Sequence, residues 1–134
     1  MSQQKVALVT GAARGIGLAT AQGFAADGWR VLMLDRDVAE LAQAVATVPG
    51  AQSIQCDIAA PQAVAASFAN LDRLDCLVNN AGVANFGPIE DCDYTMWRTV
   101  MATNLDGTFL CSQAALPLLK ASRGSIVNIA SISG

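Results

Sequence analysis

The chain has 134 residues, 53% of them hydrophobic and 14% charged, a balance that excludes a disordered polymer and implies one buried α/β core. Eight basic residues against eleven acidic ones leave a net charge of −3, so no positive footprint for nucleic acid is expected. No run approaches the roughly 18 apolar residues of a membrane span, and Met1 to Gln4 read as a polar lead into a strand, not a signal peptide.

In chain order, the first strand is expected at Val6–Val9. It runs into Thr10-Gly11-Ala12-Ala13-Arg14-Gly15-Ile16-Gly17, which opens a helix over Gly15–Asp27. Gly11 and Gly15 permit backbone angles that other residues avoid and let a pyrophosphate approach the main chain. Gly17 lets the helix pack closely on the strand, and the helix start offers unpaired N–H groups and positive potential. The same spacing also suits a plain strand-to-helix turn. Arg14 faces either a phosphate or solvent.

A second strand, Val31–Leu34, ends at Asp35. A carboxylate at that edge accepts hydrogen bonds from ribose hydroxyls and repels a 2′-phosphate, which favours NAD(H) over NADP(H). Arg36 beside it offers a guanidinium to the same phosphate. After a helix at Val38–Val48 and a strand at Ser53–Gln55 come Asp57 and Ile58. Asp57 has two readings: it accepts from an adenine amino group while Ile58 packs on the ring, or it caps the helix that follows Pro61.

That helix is expected at Gln62–Asn70, and a fourth strand at Leu74–Val78 leads into Asn79-Asn80-Ala81-Gly82. Adjacent amides and a glycine there suit a ligand crevice, and equally an ordinary turn. A long helix spans Tyr94–Ser122, with Asp93 as its N-cap and Pro117 kinking or ending it. The fifth strand is Ser125–Ile129. Strands apolar on both faces, alternating with helices, imply a doubly wound parallel sheet in one domain, 1–134. The four cysteines, at 56, 76, 92 and 111, lack metal-ligand spacing, and the chain contains no histidine. No metal site is expected, serine–histidine and cysteine–histidine nucleophile pairs are excluded, and the thiols read as buried groups in a reducing cytoplasm.

Taken together, Thr10-Gly-x-x-x-Gly-x-Gly17, Asp57-Ile58, Asn79-Asn80-Ala81-Gly82, Asn104-Leu105-x-Gly107 and Gly124-Ser-Ile-Val-Asn-Ile-Ala-Ser131 stand in the order of one family. The chain resembles the N-terminal part of a short-chain dehydrogenase/reductase. The resemblance implies a Rossmann fold and hydride transfer between NAD(P)(H) and a small-molecule alcohol or ketone. It implies that Thr10, Gly11, Gly15, Ile16 and Gly17 line the pyrophosphate and Asp35 holds the ribose. Asp57 and Ile58 would meet the adenine, while Asn80, Ala81 and Gly82 border the cofactor. Asn104 matches the asparagine that holds a water in the proton relay, and Ser131 the serine that bonds the substrate oxygen. Related enzymes pair through the long helix, so a homo-oligomer is implied, with Trp97, Met101 and Phe109 as candidate anchors.

The family's chemistry also uses a tyrosine and a lysine four residues later, beyond the serine. Here the one tyrosine is Tyr94, outside any such pattern. The expectation is a fragment of a longer reductase, its sheet incomplete on the C-terminal side and its turnover slight. A non-catalytic dinucleotide-binding module is the alternative. A P-loop is excluded because no Gly-Lys-Ser/Thr follows the glycines.

Overall fold

A computed structural model describes residues 3–133. Five strands, β1 (Val6–Thr10), β2 (Arg30–Asp35), β3 (Gln52–Gln55), β4 (Cys76–Asn79) and β5 (Ser125–Asn128), form one parallel sheet in the order β3-β2-β1-β4-β5. Alternate residues of the central strands feed two cores. Leu8, Leu32, Leu34 and Leu77 pack on one face, and Ala7, Val9, Met33 and Val78 on the other. Both faces are apolar because helices cover both, which is why these strands read as continuous hydrophobic runs.

The helices α1 (Gly15–Ala26) and α2 (Val38–Val45) contribute Ala21 and Leu41 to the second core. On the opposite face lie α3 (Pro61–Ala69) and α5 (Gly107–Ser122). Gly107, Cys111, Ala115 and Leu119 form the buried stripe of α5, one residue per turn. The small residues let α5 approach closely: a Cβ on Gly107 would stand 2.5 Å from Ile58 Cδ1.

The chain departs from the sequence expectation in the long helix. It begins at α4 (Tyr94–Met101), where the Asp93 carboxylate accepts from Met96 N–H at 2.7 Å, as a cap should. Residues Ala102–Asp106 then widen into a π-helical turn before α5 continues to Ser122. Pro117 neither ends nor breaks the helix. Asp57 is not the cap of α3: Ala60 holds that position without a side-chain bond, and Pro61 supplies the preset first-turn φ. The fifth strand lies at a sheet edge with all four residues exposed. No helix among the described residues is long and apolar enough to cross a membrane.

The strand order reverses between β1 and β4. The chain winds from β1 outward through β2 and β3, then returns to the other side of β1. At this switch the connections leave in opposite directions and open a crevice above the C-terminal strand ends.

Candidate functional site

The crevice is built on a strut between β1 and β4. Thr10 is fully buried, and its hydroxyl accepts from Asn80 N–H at 3.0 Å and Ala81 N–H at 2.9 Å while facing Val78 O at 3.4 Å. In return the Asn80 amide donates to the carbonyls of Thr10 (3.1 Å) and Gly11 (3.2 Å). Thr10 therefore stands behind the glycine turn and fixes it to the loop after β4.

The three glycines serve different needs. Gly11 has φ +63°, and a Cβ there would lie 2.8 Å from Ala81 Cα. At Gly17 a Cβ would collide with the Gly11 carbonyl oxygen and stand 2.6 Å from Asn80 Nδ2. Gly15 also has a left-handed φ, +57°, but nothing lies within 4 Å of where its Cβ would be. The turn is thus tight below and open above. Arg14 occupies the N-cap of α1 with no side-chain bond to the first turn, so the helix start presents uncapped N–H donors to this opening.

Beside the turn lies a cavity of about 200 Å³ whose walls include Gly11, Arg14, Asp35, Asp57, Asn80 and Gly82. Asp35 is oriented by two backbone donors, Ala13 N–H on Oδ2 and Asp37 N–H on Oδ1, each at 3.1 Å. Each oxygen retains a lone pair for a further donor. Asp57 is used locally, accepting from Ala59 N–H at 3.0 Å. Ile58 and Ala81 border the same space, but Ile58 is 5% exposed and packs against α5. Ile16 is exposed on α1 outside the cavity wall. The Arg14 guanidinium lies 3.8 Å from Glu40 on a mostly exposed side chain, free to swing towards an anion. An open glycine cradle, uncapped helix donors and a poised carboxylate fit a pyrophosphate with an adjoining ribose diol.

A second cavity, about 760 Å³, shares Val83 with the first. Asn104 and Ser131 both line it. The π-helical turn carries Asn104, whose amide clasps Val83 through both backbone groups: Nδ2 donates to Val83 O and Oδ1 accepts from Val83 N–H, each at 2.8 Å. Such single-turn π segments recur at functional sites. Ser131 Oγ accepts from Ser133 N–H at 3.0 Å. The end of β5 is held three residues before Ser131, where Asn79 Nδ2 donates to Asn128 Oδ1 (2.9 Å) and also to Ser112 Oγ (3.0 Å). Ile129 N–H adds a bond to Asn79 O at 3.0 Å.

The sequence patterns miss Thr103, which lines the first cavity, and the main chain of Val83, which lies on both. A side chain clasping a main chain 21 residues away leaves no local signature. Cys56 lines the first cavity, and Cys92, exposed where the sequence reading expects a buried thiol, lines the second. Burial pushes Cys56 and Cys76 up and Cys111 up to about 12, so these three stay protonated near neutral pH. Tyr94 is exposed at the start of α4 and lines neither cavity.

The sequence profile of the family described as short chain dehydrogenase matches residues 5–134. A D-threitol dehydrogenase of Mycolicibacterium smegmatis is 44% identical to the chain, across 95% of it and 52% of that protein. A trans-4-hydroxycyclohexanecarboxylate dehydrogenase of Sinomonas cyclohexanicum is 39% identical, across 98% and 56% respectively. The fold is similar to that of a metagenomic short-chain oxidoreductase solved in complex with NADP, with a TM-score of 0.89 and 37% identity over 96% of this chain and 62% of that one. The chain spans about half the length of the curated relatives it matches.

Proposed function

We propose, because this chain belongs to the short-chain dehydrogenase family and carries two cavities that meet at Val83, that it forms the nicotinamide-binding domain of an NAD(P)(H)-dependent alcohol dehydrogenase or ketone reductase. The meeting of the cavities is the observation that carries the reading. Gly11, Gly15 and the start of α1 hold the pyrophosphate, and Asp35 the adenosine ribose. Asn80, Ala81 and Gly82 line the passage towards Val83. When bound, the nicotinamide supplies or accepts the hydride. Ser131 donates a hydrogen bond to the substrate oxygen, and Asn104 positions the Val83 loop between the two ligands.

The family's tyrosine and lysine are not among these 134 residues, so the chain by itself binds cofactor and does not turn over. The second reading is a dinucleotide-binding module without catalysis. NAD(H) is the preferred cofactor in this reading, because the Asp35 carboxylate, held by the Ala13 and Asp37 N–H groups, lines the first cavity and would repel a 2′-phosphate there. The NADP-bound relative makes this preference the point to test. The four free cysteines support residence in a reducing cytoplasm. Pairing of two copies through α4 and α5 is supported by the exposure of Trp97 and Phe109; Met101 is half-buried.

The test is a titration of the chain with NADH and NADPH, followed by cofactor fluorescence. NADH should bind about tenfold more tightly than NADPH, and Asp35→Ser should narrow that ratio. Failure of both nucleotides to bind would refute the reading. A tyrosine–lysine pair restored by the second half of a relative, with turnover appearing, would separate the reductase from the non-catalytic module.

A further inference from the structure

The cavity beyond Val83 has a chemical character of its own. Phe86, Ile89 and Trp97 are respectively 85%, 87% and 53% exposed, and all three turn apolar surface to one space together with Val83 and Val100. Its uncharged polar lining includes Asn85, Asn104, Ser131 and Ser133. Among the described residues no lysine or arginine lines this space, and the carboxylate in its wall is Asp91. The arginine of α4, Arg98, is committed elsewhere, its guanidinium 3.1 Å from Asp106. A volume of about 760 Å³ suits a ring-sized or larger organic body.

We propose that this cavity takes an uncharged alcohol or ketone with an apolar ring body, and that Asp91 discriminates against substrates carrying a carboxylate or phosphate. The apolar walls reward burial of hydrocarbon. An anionic group on the same body would face Asp91 with no cation among the described residues of the wall to offset it, and its desolvation would go uncompensated there. Selection therefore comes from a repulsive element as well as an attractive surface. The proposal rests on the reading of the adjoining cavity as the nicotinamide site.

Cyclohexanone and 4-oxocyclohexanecarboxylate are suitable probes, since they share a ring and differ in charge. Binding to the 134-residue chain is read at low salt by saturation-transfer NMR and by quenching of Trp97, with Trp97→Phe identifying that residue's share. Cyclohexanone should bind, and the carboxylate about three- to tenfold more weakly. Asp91→Asn should close the gap and Asp91→Lys reverse it. Equal or tighter binding of the carboxylate, a gap that persists in Asp91→Asn, or no binding of either probe would overturn the proposal. An NADH titration of the same samples separates the two readings. Intact NADH binding without ring selectivity removes this proposal alone, and ring selectivity without NADH binding removes the cofactor assignment alone.

Discussion

Replacing Thr10 by valine tests whether the crevice depends on the strut beneath it. The two side chains have nearly the same shape, so the change opens no cavity and leaves β1 packed. What is lost is an acceptor for two backbone donors, Asn80 N–H and Ala81 N–H, at 3.0 and 2.9 Å. Each N–H left unpaired near a buried residue costs about 1–2 kcal/mol, towards the lower end because both are half-buried, giving a loss of about 2–4 kcal/mol. The bond to Val78 O is long, 3.4 Å, and adds little. For a chain of this length each kcal/mol lowers Tm by about 3–4 °C, so the expected drop is about 7–14 °C. Thermal and urea unfolding followed by circular dichroism give the number, and an unchanged denaturant slope would show that the denatured state is unaffected. Thr10→Ser keeps the hydroxyl and should lose only about 1 kcal/mol for its buried methyl. A Thr10→Val chain within about 0.5 kcal/mol of the parent, or one no worse than Thr10→Ser, would refute the strut.

Gly17→Ala should weaken NADH binding by more than about tenfold and also destabilise the fold, because its Cβ meets backbone at Gly11. Gly15→Ala meets no atom and should cost only about 1 kcal/mol of backbone strain, so calorimetry and NADH titration should separate the two glycines. The Arg73 guanidinium beside Asp75, followed by the Val6 N–H bond, holds the Asp75 carboxyl below the usual carboxylate range despite its burial. A depressed native pKa contributes stability that is present above pH ~4 and is lost as pH falls through the native value. Tm should therefore fall on acidification below pH ~4, and Asp75→Asn should lower Tm at pH 7 while flattening that acid limb. Arg123, the C-cap of α5, sits at φ +55°; Arg123→Gly should raise stability by about 0.5–1 kcal/mol in chemical denaturation, once the extra freedom of unfolded glycine is subtracted.

Much of the fold is legible because burial on both faces of a parallel sheet forces apolar runs that sequence displays directly. Val6–Val9 and Val31–Leu34 lie within β1 and β2, and the alternation with helices implies the doubly wound order. Boundaries moved where tertiary bonds override local pattern. Leu74 and Asp75 fall within the expected fourth strand, yet the paired register with β1 and β5 begins at Ala7↔Cys76 and Cys76↔Ser125. Pro117 looked like a terminator because its missing N–H removes one helical bond, but the buried stripe from Gly107 to Leu119 passes across it and holds the helix. The π-helical turn was hidden for a different reason. Asn104 is a poor helix-interior residue, which flagged a polar role, but its partner is the main chain of Val83, which carries no residue code. Thr10 likewise looked like a ligand-facing residue because it begins the glycine motif, and only its neighbours across the sheet reveal that its hydroxyl is consumed.

The order of the strands gives the proposed site a direction. Asp35 ends β2, Gly11 follows β1, Asn80 follows β4 and Ser131 follows β5, so along the upper edge of the sheet these residues stand in the spatial order β2-β1-β4-β5. Three interstrand steps of about 4.8 Å separate the first from the last, a span of roughly 14 Å. In the proposed binding mode an extended dinucleotide laid along that edge would have its ribose at Asp35 and its pyrophosphate over Gly11. Its reactive end would then lie beyond Asn80, beside Val83. The reverse orientation would put the reacting ring against Asp35, far from Ser131 and the apolar cavity. Two clamps keep the direction fixed: Thr10 with Asn80 joins β1 to β4, and Asn79 with Asn128 joins β4 to β5. Both clamps lie at the C-terminal strand ends and use side chains from adjacent residues of one motif. Asn79, the last residue of β4, bonds Asn128 of β5, and Asn80, in the loop just beyond, bonds the carbonyls of Thr10 and Gly11 at the end of β1. The paired asparagines thereby set the spacing between the glycine turn after β1 and Ser131. Asn79→Ala should show it by faster amide exchange at Asn128 and Ile129, with exchange at Thr10 unchanged. Acceleration at both places, or at neither, would mean that the two amides do not act as separate clamps.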